Sequence, residues 1–194
     1  MPRQLALSAL GLTTLLLSAC SNLDRGPASG LTPHALACDD GLKVAFRPDA
    51  QTTVLAVRAI AKGTPIVAVD SAQAVTAALD MCLVKLLVGP GATAEKDKAA
   101  RSYTEGIGIE VWLPAPAAWN QRIRNYGGGG WVGGGHRDPA KIGSKVPAIV
   151  NANMGYASGT HDGGQPHYQD ASFAFLSTGA FNAEAFADMS HRAL

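Results

Sequence analysis

Residues 122–135 have the sequence RIRNYGGGGWVGGG, in which seven glycines fill nine positions and only Trp131 and Val132 interrupt them. A flexible linker is excluded, because two bulky apolar residues stand inside the run and a predicted strand over 122–126 leads into it. A phosphate cradle is excluded as well, since no Lys-Ser or Lys-Thr follows in P-loop spacing. The remaining interpretation is a strand-to-loop turn whose bare backbone can approach a ligand closely.

Bare backbone N–H groups of this kind can stabilise the negative oxygen of a tetrahedral acyl-transfer intermediate. In α/β-hydrolases one such donor comes from a glycine-rich loop after the third strand, and the other comes from the residue that follows the nucleophile. No serine of this chain stands in Gly-x-Ser-x-Gly, because Tyr156 precedes Ser158 by two residues and Phe175 precedes Ser177 by two. The sequence therefore predicts the backbone half of an oxyanion site without its nucleophile.

The composition is that of a globular chain. Its 194 residues are enough for one ordinary domain or for part of a larger one. Hydrophobic residues make up 47% and charged residues 16%, which argues against a disordered chain and against a nucleic-acid-binding surface. The formal net charge of +1 indicates no charged partner.

The N-terminus has the pattern of an export signal. Arg3 provides a positive start, residues 5–17 form an apolar run, and a small-residue cleavage site ends in Cys20. This site resembles a bacterial lipobox, in which the cysteine is acylated; an ordinary signal peptide with a coincidental cysteine is the alternative. Ser21 in the next position favours the outer membrane. We expect a lipid anchor at Cys20, on the periplasmic side of the outer membrane or at the cell surface.

The N-terminal pattern divides the chain into three parts. They are a lipoprotein signal peptide over 1–19, a tether over 20–34 that is rich in Ser, Gly and Pro, and a folded domain over 35–194. The domain retains two cysteines, Cys38 and Cys82. In an exported chain an even pair favours a disulfide over two free thiols.

Apolar, β-branched runs predict five strands. They cover Thr52–Ile60, Met81–Val88, 106–113, 122–126 and a segment within 155–164. The alanine-rich stretch 70–79 is expected to be a short helix or an irregular connection, and the charged stretch 94–104 a solvated loop or hairpin tip. A helix is predicted from Asn182, its N-cap, with Glu184 in the first turn. This helix has no stop signal before residue 194, so the pattern predicts an α/β chain that forms part of a larger domain.

Three stretches together carry a family resemblance. IGIEVWLPAPAAWNQRIRNYGGGGWVGG (107–134), GYASGTHDGG (155–164) and FADMSHRAL (186–194) resemble the N-terminal part of the tannase and feruloyl esterase family. Members also carry an upstream cysteine pair. Two departures stand out: the family's Trp-Asn-Gly-Arg has glutamine at position 121 here, and its Thr-Asp-x-Gly-His has an inserted His161 and ends in Gln165.

The resemblance implies an incomplete α/β-hydrolase fold, with the N-terminal strands of the sheet and the start of a helix. It implies a serine carboxylic ester hydrolase for galloyl, feruloyl or similar aromatic esters. The family's Ser-His-Asp triad, and a lid domain that often binds calcium, lie beyond the residues present here. The chain alone is therefore expected to be inactive and to hold no cofactor. The family's oxyanion loop falls on Gly127, Gly128, Gly129 and Gly130, with Gly130 as the first donor and Gly129 next.

Other interpretations of the same residues stay open. The glycines could serve only the tight packing of the loop, and a non-catalytic exported lipoprotein that binds aromatic or sugar ligands is the alternative function. A metal site is not predicted, because the spacings within one set of side chains are irregular: His136, His161, His167, Asp162 and Asp170. Open sheet edges also predict poor solubility of the isolated chain.

Overall fold

The structure is a computed structural model that describes residues 37–69, 71–90, 97–100, 103–127, 133–143, 146–165 and 171–192. The predicted signal peptide, the tether with Cys20, and three glycines of the loop, Gly128, Gly129 and Gly130, lie outside the described residues. No helix within the described ranges is long and apolar enough to cross a membrane.

Within the described residues, four strands form the main sheet, and each neighbouring pair is antiparallel. In spatial order they are β1 (Thr52–Ile60), β4 (Met81–Val88), β5 (Ile107–Pro114) and β6 (Ser158–His161). A separate two-stranded ribbon pairs β2 (Pro65–Ile66) with β3 (Val75–Thr76). The predicted strands at β1 and β4 are confirmed with their bounds, because both are long runs of β-branched and apolar residues. Strands β5 and β6 were predicted too, and their ends lie within a few residues of the predicted limits.

Helices are short in the part of the chain that the structure describes. They are α1 (Leu42–Ala45), α2 (Val146–Asn153) and α3 (Ala183–Ala187), with 3-10 turns at Pro116–Ala118 and Ala171–Ala174. The predicted N-cap of α3 is confirmed, since the amide of Ala185 donates to Asn182 Oδ1 at 3.1 Å. This helix continues as a π-helix over Asp188–Arg192. Within the stretch 70–79 the structure has bends around β3 instead of a helix, so the helical alternative there is wrong.

The predicted strand over 122–126 is wrong as a regular strand. The segment is extended, but among the described residues it forms only one parallel bridge, between Ile123 and Ala157. Its ladder with β6 is interrupted because a side chain replaces a backbone acceptor: Asn125 Oδ1 accepts the amide of Gly159 at 3.0 Å. We call residues 122–127 the outgoing limb of the glycine loop.

Apolar groups cover part of each face of the sheet. On one face α2 packs against β5 and β6, and Leu83, Trp112 and Ile149 are completely buried in the core on that face. On the other face α1 brings Leu42 against side chains of β1 and β4. The described chain is thus a mixed fold of helices and a partial sheet, as expected for part of an α/β-hydrolase-like domain.

The predicted disulfide is confirmed. Cys38 and Cys82 are joined with an S–S distance of 2.04 Å, which ties the start of the described chain to β4. Because the two cysteines are 44 residues apart, the bond closes a long loop of the unfolded chain.

Candidate functional site

The glycine loop starts at a point where the order of the strands across the sheet differs from their order along the chain. The chain passes from β5 to the outgoing limb, then through α2 into β6, yet β6 lies between β5 and that limb. The bridge between the limb and β6 is parallel, so Gly127 and Asp162 follow carboxyl ends on the same edge of the sheet. Ligands of open α/β sheets bind outside the carboxyl ends of the parallel strands. The topology therefore places the loop at the edge where a site is expected.

The outgoing limb is held by β6. The amides of Arg124 and Tyr126 donate to the carbonyls of Ala157 and Gly159 at 2.8 and 2.9 Å. Gly127, the one member of the predicted oxyanion set within the described residues, is exposed, and a Cβ there would meet no atom within 4 Å. Local packing therefore does not require glycine at position 127.

Glycine is required on the other side of the loop, in residues 133–143, which we call the return limb. Gly134 has a φ of 147°, a conformation that side chains disfavour. A Cβ on Gly143 would lie 2.4 Å from the backbone nitrogen of His136. A Cβ on Gly108 of β5 would lie 2.4 Å from the nitrogen of Arg137. The return limb thus lies directly on the sheet.

A buried ion pair faces this limb. Lys85 of β4 and Glu110 of β5 are cross-strand partners, both completely buried, with Nζ and Oε1 2.6 Å apart. Burial lowers the pKa of Lys85 from its ordinary value, and the neighbouring Glu110 opposes that shift. The sequence did not single out Lys85 and Glu110 as a pair. The one visible signal is that each is a charged residue within an otherwise apolar strand.

Asp162 occupies the turn after β6 and is also buried. Its Oδ1 accepts the amides of Gly108 and Gly164, both at 2.9 Å, so Asp162 orders the Gly-Gly turn that follows it. Its Oδ2 has no hydrogen-bond partner among the described residues. Burial raises the pKa of the Asp162 carboxyl to about 7, although the two amides and the nearby Arg137 act in the opposite direction.

The opposite face of the sheet carries an open groove of about 400 Å³ that reaches the start of the glycine loop. Its apolar lining comes from β5 and the outgoing limb, with Ile109, Val111, Leu113, Ile123 and Tyr126. Ile123 is 73% exposed, so a large apolar side chain faces solvent there. The size lies within the range of small-molecule sites.

The histidines and carboxylates considered as metal ligands do not assemble within the described part of the chain. No three His, Cys, Asp or Glu side chains there are placed to hold a metal ion. His136 is completely buried, and His161 Nδ1 accepts the amide of Gly163 at 3.1 Å. His167 and Asp170 lie outside the described residues. Of the tryptophans, Trp112 is in the core and Trp119 is exposed.

Comparison with known proteins gives structural relatives only. No protein-family model and no curated protein sequence matches the chain. Feruloyl esterase B from Aspergillus oryzae superimposes with a TM-score of 0.54 and 22% identity, over 81% of this chain and 26% of that enzyme. An esterase from Aspergillus oryzae gives 0.53 and 17%, over 78% and 26%.

A third solved structure, tannin acyl hydrolase from Aspergillus niger, matches at a TM-score of 0.48 and 20% identity, over 78% of this chain and 25% of the enzyme. The chain spans about a quarter of the length of each of these enzymes. The partial sheet and the two limbs that flank the glycine loop thus have a fold similar to that of feruloyl esterase B.

Proposed function

We propose that this chain forms the part of a serine carboxylic ester hydrolase that provides backbone donors to the oxyanion. The observation that carries the proposal is the position of the glycine loop, at the carboxyl end of a segment parallel to β6, in a chain with an esterase fold. The feruloyl esterase among the structural relatives supports aromatic esters of the feruloyl kind as substrates, and the sequence resemblance adds esters of the galloyl kind.

In the proposed reaction a serine hydroxyl attacks the ester carbonyl, and a histidine that an aspartate orients takes up the proton. Negative charge then develops on the former carbonyl oxygen. The amide of Gly130, with that of Gly129 next, donates to this oxygen, and Gly127 and Gly128 leave the backbone unobstructed. The triad residues belong to the part of the enzyme that this chain does not span, as does a lid that could hold calcium.

The disulfide indicates an oxidising compartment, because cytosolic thiols are kept reduced. We propose that the chain is exported and anchored to the membrane through an acylated Cys20. Mass spectrometry of the membrane fraction tests this. Two or three acyl chains on an N-terminal cysteine are expected, and an N-terminus elsewhere would contradict the anchor.

The catalytic proposal predicts different results for two proteins. The purified 194-residue chain should not hydrolyse methyl gallate, methyl ferulate or p-nitrophenyl acetate. A longer product, from the gene region read beyond codon 194, should carry a nucleophilic serine and hydrolyse at least one of them. Serine-dependent turnover by the shorter chain would show that the side chains assigned elsewhere are present in it.

The apolar groove beside Gly127 favours one alternative, a non-catalytic lipoprotein that binds aromatic ligands. Methyl gallate and methyl ferulate can be titrated into the 194-residue chain while tryptophan fluorescence is followed. Saturable binding to a cooperatively unfolding chain, with no serine motif encoded downstream, would replace the esterase proposal by this one.

A further inference from the structure

We infer that Arg58, Lys85 and Glu110 are positioning residues that hold the return limb of the glycine loop in place. Each comes from a different strand, β1, β4 and β5, and each bonds to backbone groups of that limb. Their role in catalysis rests on the proposed oxyanion function of the loop. We call the three side chains the loop anchor.

Lys85 makes the most contacts in the loop anchor. Its ammonium donates to Glu110 Oε1 at 2.6 Å, to the carbonyl of Lys141 at 2.6 Å and to the carbonyl of Gly135 at 3.2 Å. An ammonium has three N–H donors, so these contacts occupy all of them. Two of the three are directed at the return limb, six residues apart.

The other two anchor residues bind the limb between and beyond these points. Glu110 Oε1 accepts the amide of Gly143 at 2.8 Å, and the guanidinium of Arg58 donates to the carbonyl of Pro139. Backbone groups from position 135 to position 143 are therefore fixed by charged side chains. Such charge-assisted hydrogen bonds are the stronger class in proteins.

Core stability alone does not account for a buried pair at these positions. Leu83 and Trp112 lie two residues along the same strands and fill the same face with apolar side chains. Exchange of a buried ion pair for apolar residues of similar volume is often neutral or stabilising. What Leu or Met could not replace is the set of bonds to a limb that has no regular secondary structure.

The loop is then fixed at both ends. Backbone bonds to β6 hold the outgoing limb, and the loop anchor holds the return limb, so the residues between them start and finish at positions set by the sheet. Oxyanion donors act only when they are held at the position where charge develops. The loop anchor provides this constraint without any contact between its side chains and substrate.

Amide hydrogen exchange of the full chain tests the inference without substrate. The double variant Lys85→Met/Glu110→Leu removes the charges and keeps the volume. We expect its thermal unfolding to stay within a few degrees of the parent, while exchange in residues 133–143 becomes about tenfold faster, as when one charge-assisted bond is lost. Exchange in β4 and β5 should not change.

Three further variants separate positioning from stability. Glu110→Gln keeps an acceptor for Gly143 and should protect that amide better than the double variant does. Arg58→Met leaves the buried pair intact and should accelerate exchange near Pro139 only, so it remains informative if the double variant fails to fold. Val54→Ala weakens the core on the other face of the sheet, which contains no residue of the return limb, and should accelerate exchange uniformly.

The inference is overturned if exchange of the return limb is unchanged in a folded double variant, or rises only in step with that of the strands. Neither result depends on ester hydrolysis. Conversely, absence of esterase activity in the longer protein would refute the proposed function and leave a localised exchange effect in place.

Discussion

Replacement of Asp162 by Asn should abolish a specific pH dependence of stability. The Asp162 carboxyl is buried, and its pKa rises from 3.8 to about 7 on folding, chiefly through that burial. Between these two values the native state binds more protons than the unfolded state. The free energy of unfolding therefore falls as pH rises through this window. Asp162 contributes stability that is complete below about pH 4 and is lost as pH passes 7.

The size of the effect follows from the two pKa values. They differ by about three pH units, and each unit corresponds to about 1.4 kcal/mol, so ionisation of Asp162 should cost about 4 kcal/mol of stability. Asp162→Asn keeps an acceptor for the amides of Gly108 and Gly164 but carries no charge. The variant should match the parent at about pH 3.5 and exceed it at about pH 8, by up to that amount.

Urea unfolding followed by tryptophan fluorescence at several pH values measures the difference between parent and variant. Because both proteins contain the same histidines, the contribution of histidine titration to stability cancels in this difference. Asp97→Asn serves as a control of opposite sign, because bonds from Ser177 lower the pKa of Asp97. That variant should lose stability at neutral pH and approach the parent in acid. A difference between the parent and the Asp162→Asn variant that is the same at all pH values would show that the Asp162 carboxyl does not titrate with a raised pKa in the folded protein.

Other changes have expected outcomes of their own. Replacement of both Cys38 and Cys82 by Ala should lower the free energy of unfolding by about 4 kcal/mol, from the loop that the disulfide closes; an unchanged urea midpoint would contradict this. Gly108→Ala should destabilise the fold, since its Cβ would lie 2.4 Å from a backbone nitrogen, whereas Gly127→Ala, with no atom within 4 Å, should leave the urea midpoint unchanged. The chain should associate at micromolar concentration through its exposed groove, and Ile123→Lys should reduce this in sedimentation experiments. A monodisperse parent chain would argue against an uncovered apolar surface.

Sequence patterns were reliable where a segment's own side chains determine its structure. β1 and β4 are long apolar runs, and the cap of α3 is a local hydrogen bond that Asn182 Oδ1 accepts from the amide of Ala185, so all three were predictable. Helix α2 was missed because VPAIVNAN contains β-branched residues and asparagines, which are weak helix formers. Asn153 of α2 instead bonds to the backbone of Thr76 and Ala78, contacts that no local pattern reveals.

The site was predictable only in outline. The glycine run indicated a bare loop, and the extended segment before it was recognised, but its partner β6 lies more than thirty residues away and Asn125 interrupts the ladder. Single charges in two apolar strands, Lys85 and Glu110, were visible in the sequence. Their role depends on cross-strand register and on the return limb above them, which spacing along the chain does not encode.

The most direct test of the oxyanion role removes one amide from the loop. In the longer protein, Gly130→Pro eliminates the N–H that we assign as first donor, whereas Gly130→Ala keeps it. We expect the Pro variant to lower kcat for methyl ferulate or methyl gallate by about a hundred- to a thousandfold relative to the Ala variant. Equal kcat in the two variants, in a protein that hydrolyses these esters, would contradict the assignment of the glycine loop to the oxyanion.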